Sequence, residues 1–466
     1  MSERKIADAA VMQSIDEKAQ AYKNAILNSE NKTDFTGTVY YVSGSGNDEN
    51  DGKSPESAFA TIAKVQSLTL CPGDAVLFER GCEFRGKLMC TTDGVTYSAY
   101  GKGPKPIING SRMNYAKIRW DKVEGLENVY LCSEKMDNVG IIAFDIEKVP
   151  GNYKGKVGVF KSPDEIMRFH HSYQFDGIED LCENGQFYNN IHDYSLYLYC
   201  DLGNPADVYK SIEIGEAGNC FGVRANNVTV DNLFIMYTGS HGVGSGGVKN
   251  LTVTNNIFAW IGGSVLKGYG GGNHTRYGNA VEIYGSVDGY HVCNNWIYQI
   301  YDTGITHQCS HSADGNCTMK NVEYKDNLIE YCNWSIEYYN RFDDPKAIRL
   351  VENSHIHDNI CRLAGFGWGE QRPDKCATHC NSFGLTDNVV NFVIENNIFD
   401  RSNHFLIRIE DDGGDRKVVY RHNTYIQNPY KYLGWIFGKE YTYDECVAEN
   451  IEELYHEENP IIYYTK

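Results

Sequence analysis

The sequence has no long apolar run and is poor in basic residues. A membrane-spanning helix needs about 20 consecutive apolar residues, and no stretch of this chain provides them. Lys and Arg number 43 against 62 Asp and Glu, so the formal net charge is -19. Nucleic acids and other polyanions are attracted by basic surfaces. We therefore predict neither a nucleic-acid nor a membrane partner, and a pectate-like substrate would need a bound cation.

No secretion signal is predicted at the start of the chain. The first segment, MSERKIADAAVMQSIDEKAQ, is charged and has no continuous apolar core, unlike a signal peptide. The 15 cysteines are an odd number and are scattered, which favours reduced core thiols over a disulfide framework. These features predict a soluble, cytoplasmic protein, although removal of a signal would leave the same appearance.

Asparagine, in contrast, is present at a recurring position. Short β-branched runs lead into an Asn that precedes another apolar run, as in VTVDNLFI, LTVTNNIF and FVIENNIF. A unit of roughly two dozen residues recurs with insertions, which is typical of a stacked β-solenoid. We expect the amides to stack coil over coil. This asparagine ladder comprises Asn232, Asn256, Asn295, Asn327, Asn359, Asn397 and Asn423.

The segments outside the ladder indicate caps and an insertion. Residues 1–30 carry apolar side chains at helical spacing. Residues 113–210 lack the ladder but contain GQFY and SLYLYC around a polar turn, the pattern of a β-hairpin. We therefore divide the chain into an N-terminal helix or cap (1–37), first coils with a capping helix (38–112), a β-rich insertion (113–210), a main solenoid (211–440) and a C-terminal cap or tail (441–466).

Three stretches near the start carry a family resemblance: TVYYVSGSGNDENDGKSPESAFATIAKVQSL, PGDAVLFERGCEFRGKL and GVTYSAYGKGPKPIINGS. They resemble the opening of right-handed parallel β-helix proteins of the pectate-lyase-like superfamily, and the likeness covers roughly residues 38–112 and 211–440. It implies an all-β fold, a right-handed parallel β-helix with a helical N-terminal cap and a β-rich insertion. It also implies a carbohydrate-active enzyme, with the β-helix β-xylosidases and inulin fructotransferases as functional analogues, although a solenoid fold does not fix the reaction.

A third apolar strand follows the ladder asparagines, in HGVGS, NAVEIYG, TGITHQ, WSIEYYN, GFGWGEQ and FLIRIEDD. Because side chains alternate along a strand, the residue after each inward anchor should face outward. Three consecutive coils are predicted to carry enlarged loops just after this strand, and such loops commonly form a functional cleft. One outward column is predicted to contain Gly244, Glu282, Thr306, Glu337, Gly367 and Arg408. The next is predicted to contain Gly246, Tyr284, Gln308, Tyr339, Gly369 with Glu370 beside it, and Glu410.

Three glutamates in these columns are the candidate catalytic residues. Glu282 and Glu337, two coils apart, should be roughly 9–10 Å apart at the backbone, close to the spacing of about 6.5–9.5 Å in inverting glycosidases. Glu370, predicted one coil from Glu337, could approach the spacing of about 5–5.5 Å in retaining enzymes. One carboxyl must donate a proton while its partner stays ionised. The alternative is that these are ordinary exposed glutamates of a soluble solenoid.

The remaining candidates would contact the sugar. Tyrosine rings can stack on a sugar or bind its hydroxyls. Asp302 could equally serve a local turn, and His307 would face the core if alternation is strict. The predicted substrate-binding residues are Tyr284, His307, Gln308, Tyr339, Arg276, His274, Arg408, Glu410, Trp368 and Asp302.

A metal site is a weaker alternative. Soft ligands for zinc could come from His307, Cys309, His311, Cys317, Cys376, His379 and Cys380, but their spacing matches no standard zinc module. The acidic pairs Asp343–Asp344 and Asp411–Asp412 could bind calcium, although solvated loop carboxylates are the simpler interpretation. No cofactor is therefore predicted.

The leading functional hypothesis is a glycoside hydrolase with an oligosaccharide substrate and exo-action in a short cleft. A polysaccharide lyase or uronate epimerase would use a base such as Tyr339 or His307 together with cations such as Arg276 and Arg408, and the acidic balance weighs against it. An intramolecular fructotransferase and a non-catalytic glycan-binding solenoid are two further hypotheses. A homotrimer would be expected by analogy with other β-helix enzymes only.

Overall fold

The computed structural model describes residues 5–160, 175–268, 275–310, 315–341, 346–372, 376–410, 417–448 and 451–465. The chain winds through three long sheets, and parallel pairing joins each strand to its equivalents in the neighbouring coils. One antiparallel strand closes the third sheet. The predicted all-β parallel β-helix is confirmed.

The three sheets are numbered in the order in which one coil passes through them. Sheet 1 contains Val39–Val42, Ala75–Glu79, Thr96–Tyr100, Thr229–Asp231, Lys249–Thr254, Val287–Cys293, Cys317–Lys325, Arg349–His357, Val389–Glu395 and Val418–Arg421. Sheet 2 contains Lys5–Ile6, Glu83–Arg85, Ile107–Asn109, Phe234–Met236, Ile257–Ile261, Trp296–Ile300, Leu328–Glu330, Ile360–Ala364, Ile398–Ser402, Thr424–Gln427 and Ile461–Tyr464. Sheet 3 contains Leu88–Cys90, Phe221–Val223, Val243–Ser245, Val281–Tyr284, Thr303–Cys309, Trp334–Asn340, Thr378–Ser382, Ile407–Ile409, Tyr432–Ile436 and Lys439–Thr442.

The corner between sheets 1 and 2 explains the paired asparagines of the repeat. The residue before each of six ladder asparagines is left-handed, with φ between 53° and 57°. Asn, Asp and His tolerate this conformation better than β-branched residues do, and they are the types found there: Asn255, Asn294, Asp326, Asp358, Asn396 and His422.

Six of the seven ladder asparagines, from Asn256 to Asn423, form one continuous hydrogen-bonded stack, whereas Asn232 donates to the Glu30 carbonyl oxygen at 3.1 Å. The backbone N–H and the side-chain Nδ2 of Asn295 both donate to Oδ1 of Asn327, at 3.0 Å each, and Asn327 repeats the pattern onto Asn359. The stack ends where Asn423 donates to the carboxylate of Glu457 at 3.0 and 3.1 Å. Because these amides are buried and satisfy backbone groups, their role is structural.

The N-terminal helix and the insertion cover the outer face of sheet 2. The helix Ala9–Leu27 buries Ile15, Ala19 and Ile26 against it, and Tyr22 Oη donates to the Asp358 carbonyl oxygen at 2.7 Å. The other α-helices are short: Ile62–Gln66, Pro205–Val208, Tyr443–Ala448 and Ile451–Tyr455. In the described part of the chain, no helix has the length and apolar character that a membrane span requires.

The insertion is built from two antiparallel sheets. One contains Trp120–Lys122, Val129–Cys132, Phe187–Asn190 and Ser195–Tyr199, and the last two of these strands form the expected hairpin. The other contains Val139–Phe144, Lys156–Val157 and Ile212–Glu216. A small hairpin of Ser264–Val265 and Arg276–Tyr277 lies beside it, and short 3-10 helices occupy Pro55–Ser57, Tyr115–Lys117, Ile178–Asp180 and Trp368–Gln371.

The predicted register of sheet 3 is correct in all but one of the coils considered. Glu282 pairs with Thr306, and Thr306 with Glu337. The next residue in this column is Asn381, not Gly367, because the strand of that coil is Thr378–Ser382 and GFGWGEQ precedes it as a loop and a 3-10 helix. Phe366, which would have to point inward if Gly367 faced outward, is 47% exposed. The enlarged loop of that coil therefore lies before the strand, not after it.

Candidate active site

A cavity of about 810 Å³ lies over the outward face of sheet 3. Its floor comes from strands of successive coils, and its walls come from the small hairpin and from the segment that precedes Thr378–Ser382. Among the predicted residues, it brings together Glu282, Glu337, Asp302, Tyr284, Tyr339, Gln308, Arg276 and Arg408.

Glu337 is the most deeply buried acid on this floor. Ile336 and Tyr338 point into the core on either side of it, and only 2% of Glu337 is exposed. Its Oε2 accepts hydrogen bonds from Gln308 Nε2 at 2.7 Å and Thr306 Oγ1 at 3.0 Å. Burial first, and then the negative charge of Asp302, raise the pKa of Glu337 to about 8 in spite of these bonds. At neutral pH, Glu337 is therefore mostly protonated.

Asn381 lies on the other side of the Glu337 carboxyl. Its Nδ2 is 3.4 Å from Oε1 of Glu337, and its own Oδ1 is buried with no hydrogen-bond partner among the described residues. A half-turn of the amide would exchange these two atoms, since they differ little in size. The amide can thus donate to the ionised carboxylate and accept from the protonated acid.

Glu282 stands two coils away and has the opposite character. It is 8% exposed, and its Oε2 accepts from Asn279 Nδ2 at 2.5 Å and lies 3.0 Å from His241 Nδ1. Burial raises the pKa of Glu282, but the charge and hydrogen bonding of His241 and the Asn279 bond outweigh it, so the pKa lies below its usual value. The backbone N–H of Asn279 is also 3.1 Å from His241 Nδ1. An unprotonated Nδ1 can therefore accept a hydrogen bond from that N–H, and a protonated Nδ1 can donate one to Glu282.

Asp302 supplies a third carboxylate, immediately before the strand Thr303–Cys309. Its Oδ1 pairs with the Arg372 guanidinium at 2.5 Å, and this guanidinium lies 4.6 Å from the Trp334 ring centroid. Thr303, the residue after Asp302, places its Oγ1 3.4 Å from Glu337 Oε2. Asp302 and Glu337 face the same cavity from adjacent coils, near enough for the charge of Asp302 to raise the pKa of Glu337.

The rest of the wall can bind a sugar. Tyr284, Tyr339 and Trp334 line the cavity, and Phe383 lies under Arg408 with 4.6 Å between the guanidinium and the ring centroid. Arg408 donates to Glu410 at 2.7 Å, while its buried Nε has no partner among the described residues. Aromatic faces and directed polar groups are the usual surroundings of a bound small molecule.

Several predicted residues lie elsewhere. Glu370 is exposed on the 3-10 helix Trp368–Gln371 and does not line the cavity, so its expected position beside Glu337 is wrong. Trp368 is buried against Tyr301, and its indole N–H donates to the Gln299 carbonyl oxygen at 2.8 Å. Neither residue is part of the described cavity wall.

His307 and Arg276 are held by the protein itself. The His307 ring faces the core, where its Nδ1 lies 2.6 Å from Tyr324 Oη and burial lowers its pKa to about 3. Arg276 lines the cavity, but its guanidinium donates to the Val139 carbonyl oxygen at 3.1 Å and lies 3.9 Å from the Phe160 ring centroid. Glu410 is at the rim with Arg408, and His274 lies outside the described residues.

The described cysteines and histidines among those considered for zinc do not form a cluster. His379 is buried with Nδ1 at 2.9 Å from Ser335 Oγ, and Cys309, Cys317 and Cys380 belong to the core. Within the described ranges, no group of three or more His, Cys, Asp or Glu side chains is arranged to hold a metal ion. His311 and the pairs Asp343–Asp344 and Asp411–Asp412 lie outside those ranges.

Sequence reasoning missed His241, Asn279, Trp334, Lys267, Phe383 and Asn381 as parts of the site. His241 and Asn279 each lie two residues before a strand of sheet 3 whose register was predicted correctly. The polar residues in the turns before these strands could therefore have been considered as part of the site. Asn381 could have been found from the segment CATHCNSFG. Cys380 lies between polar neighbours there, as an inward-facing strand residue should, and the residue after it would face outward.

No protein-family model matches the chain, and no curated protein matches its sequence. Solved structures resemble it in fold. A GH136 lacto-N-biosidase from Eubacterium ramulus is 13% identical with a TM-score of 0.42, over 92% of this chain and 68% of its own. The complex of XylC with xylose is 14% identical with a TM-score of 0.49, over 91% and 82%. A rhamnogalacturonan lyase is 10% identical with a TM-score of 0.38, over 84% and 82%. This chain is thus similar in fold alone to proteins that are named as a lacto-N-biosidase, as XylC and as a rhamnogalacturonan lyase.

Proposed function

We propose that this protein is a glycoside hydrolase that cleaves neutral oligosaccharides in the sheet 3 cavity. The observation that carries the proposal is the contrast between the carboxyls of one cavity. The pKa of the buried Glu337 is raised to about 8. The pKa of Glu282 lies below its usual value, and Asp302 is paired with a guanidinium. Glycosidases need this division, because one acid protonates the leaving oxygen while the other carboxylate attacks the sugar or activates water. Glu337 is the proton donor, since its pKa is raised to about 8.

Asp302 is the favoured partner of Glu337. Its charge raises the pKa of Glu337 more than that of Glu282 does, as expected of the nearer group. Glu282, two coils away, is roughly 9–10 Å from Glu337 at the backbone. Nearby carboxyls, about 5–5.5 Å apart, produce retention through a covalent intermediate. We therefore assign Asp302 as the nucleophile and Glu282 as a residue that binds sugar hydroxyls.

Three cations of the wall are already paired with carboxylates, which favours a neutral substrate over a uronate. Arg372 is paired with Asp302, Arg408 with Glu410 and Lys267 with Asp137. Because a lyase must neutralise the carboxylate of its substrate, it needs positive charge that is not already balanced. The carboxylate of Glu282, whose pKa lies below its usual value, would also repel a uronate. These contacts support hydrolysis, and the lyase remains the alternative outcome of the test.

The test is an incubation with xylo-, fructo- and galacto-oligosaccharides and with uronans. New reducing ends, lost in Glu337→Gln, are expected, and ultraviolet absorbance of unsaturated uronates would instead identify a lyase. Glu457→Gln is the matched control, because Glu457 is also buried with a pKa raised to about 7 but caps the asparagine ladder. Full activity of Glu337→Gln would refute the assignment of the acid.

The identity of the nucleophile is tested separately. Azide should restore turnover in Asp302→Asn on an activated aryl glycoside and give a glycosyl azide of inverted configuration, because the small anion replaces the missing carboxylate. Wild type should release the sugar with retained configuration in proton NMR. Release of the inverted anomer by wild type would indicate that Glu282, not Asp302, is the catalytic partner of Glu337.

A further inference from the structure

A second cavity, of about 520 Å³, lies beside the starts of the first strands of sheet 3. Its lining includes Lys87, Arg112, Lys135, Asp137, Tyr194 and Glu216. It is formed where the insertion meets the first coils of the solenoid. None of the catalytic assignments above uses these residues.

The two cavities follow one another along the solenoid axis. Lys87 immediately precedes the strand Leu88–Cys90, whereas His241 and Asp302 lie at the start of later strands of the same sheet. Leu88, Phe221, Val243 and Val281 are in continuous parallel register. At about 4.8 Å per strand, the first and last of these strands are roughly 14 Å apart. A linear oligosaccharide lying across the starts of these strands would therefore pass from one cavity to the other.

The partition between the cavities is polar and accessible to solvent. Lys267 lines the first cavity and Asp137 the second, and their side chains form an ion pair at 2.5 Å with 42% and 56% exposure. Surface ion pairs contribute little stability, so sugar hydroxyls can replace these contacts. Lys267 Nζ also lies 6.0 Å from the Tyr194 ring centroid, which places that ring beside the crossing point.

The second cavity offers both chemical features of a sugar site. Tyr194, at the tip of the insertion hairpin, is 45% exposed and presents an aromatic face for the C–H face of a pyranose. Lys87 Nζ donates to the carbonyl oxygens of Glu216 and Ala217 at 2.8 and 2.7 Å. An ammonium has three N–H donors. Counting the bonds to the described residues, one N–H of Lys87 is left to donate to a ligand.

We propose that the second cavity is a distal subsite that binds a neutral sugar unit of the substrate remote from the cleaved bond, with Tyr194 as its stacking platform. This inference rests on the proposed function and makes the preferred substrate longer than a disaccharide.

The experiment measures binding, so that it does not depend on turnover. Xylo-, fructo- and galacto-oligosaccharides of increasing length are titrated calorimetrically into Glu337→Gln, with and without Tyr194→Ala. We expect Tyr194→Ala to weaken binding of the longer members about tenfold and to leave the disaccharides unaffected. Tyr430→Ala is the control, because Tyr430 is 91% exposed near the opposite end of sheet 3. Melting temperatures verify that each variant is folded.

The outcomes separate this inference from the proposed function. Equal affinity of Tyr194→Ala for every length, or absence of oligosaccharide binding altogether, would overturn the subsite. If wild type hydrolyses none of the sugars but binds the long ones through Tyr194, the subsite stands and the hydrolase proposal fails. If wild type hydrolyses them and Tyr194→Ala changes nothing, the hydrolase proposal stands alone.

Discussion

Replacing Glu337 by Gln should stabilise the protein at alkaline pH while removing its activity. The free carboxyl has a pKa of 4.5 and the folded one about 8. Below pH 4.5 both states hold the proton, so the folded state has its full stability. Between pH 4.5 and 8 only the folded state still holds it, and stability falls as pH rises. At 1.36 kcal/mol per pH unit, the accumulated loss is on the order of 5 kcal/mol above pH 8.

Glu337→Gln lacks this loss, because an amide does not ionise. Near pH 5 its free energy of unfolding should lie within about 1 kcal/mol of the wild-type value, since Gln resembles the protonated acid and can keep the bonds from Gln308 and Thr306. By pH 9 the variant should be more stable than wild type by several kcal/mol. Urea unfolding followed by circular dichroism and by fluorescence measures this difference, and coincident transitions justify a two-state treatment.

Glu457→Gln distinguishes the two buried glutamates. Burial raises the pKa of Glu457 to about 7, so Glu457→Gln should also reduce the loss of stability with rising pH, but it should leave turnover intact. Parallel pH dependence of stability in wild type and Glu337→Gln would refute the reasoning, since it would mean that Glu337 is already ionised in the folded protein at neutral pH.

Three further predictions concern the site and the scaffold. The pH profile of kcat/KM should fall on its basic side near pH 8, where Glu337 loses its proton; a rate that is flat to pH 10 would contradict this. Asn381→Asp adds a negative charge beside Glu337 and should move that basic limb upward by about one pH unit, measured in the same assay; an unchanged limb would remove Asn381 from the acid's environment. Asn295→Ala removes the bonds that the side-chain Nδ2 donates to the Val253 carbonyl oxygen and to Asn327 Oδ1, and it leaves the backbone N–H of Asn256 without its acceptor. It should therefore lower the free energy of unfolding in urea by about 3 kcal/mol or more. A loss below about 1 kcal/mol would contradict the structural role of the ladder.

The sequence alone determined the solenoid and much of one functional face. The repeated Asn after a β-branched run predicted a stacked solenoid, and strict alternation then placed Glu282, Thr306 and Glu337 in one outward column. Both inferences depend on local rules, namely the recurrence of one short motif and the alternation of side chains along a strand, which hold wherever the strands are regular. The N-terminal helix and the insertion hairpin followed from similarly local patterns.

Tertiary structure decided what the column does. In one coil the insertion precedes the strand, so Asn381 and not Gly367 occupies the outward column, and Glu370 lies outside the cavity. The sequence could not show this, because apolar spacing does not tell on which side of a strand an insertion lies. The proximity of Asp302 to Glu337 and the contact of Glu282 with His241 join residues from different coils. Burial and neighbouring charge set the protonation of each carboxyl, and both are properties of the assembled stack that a sequence pattern does not contain.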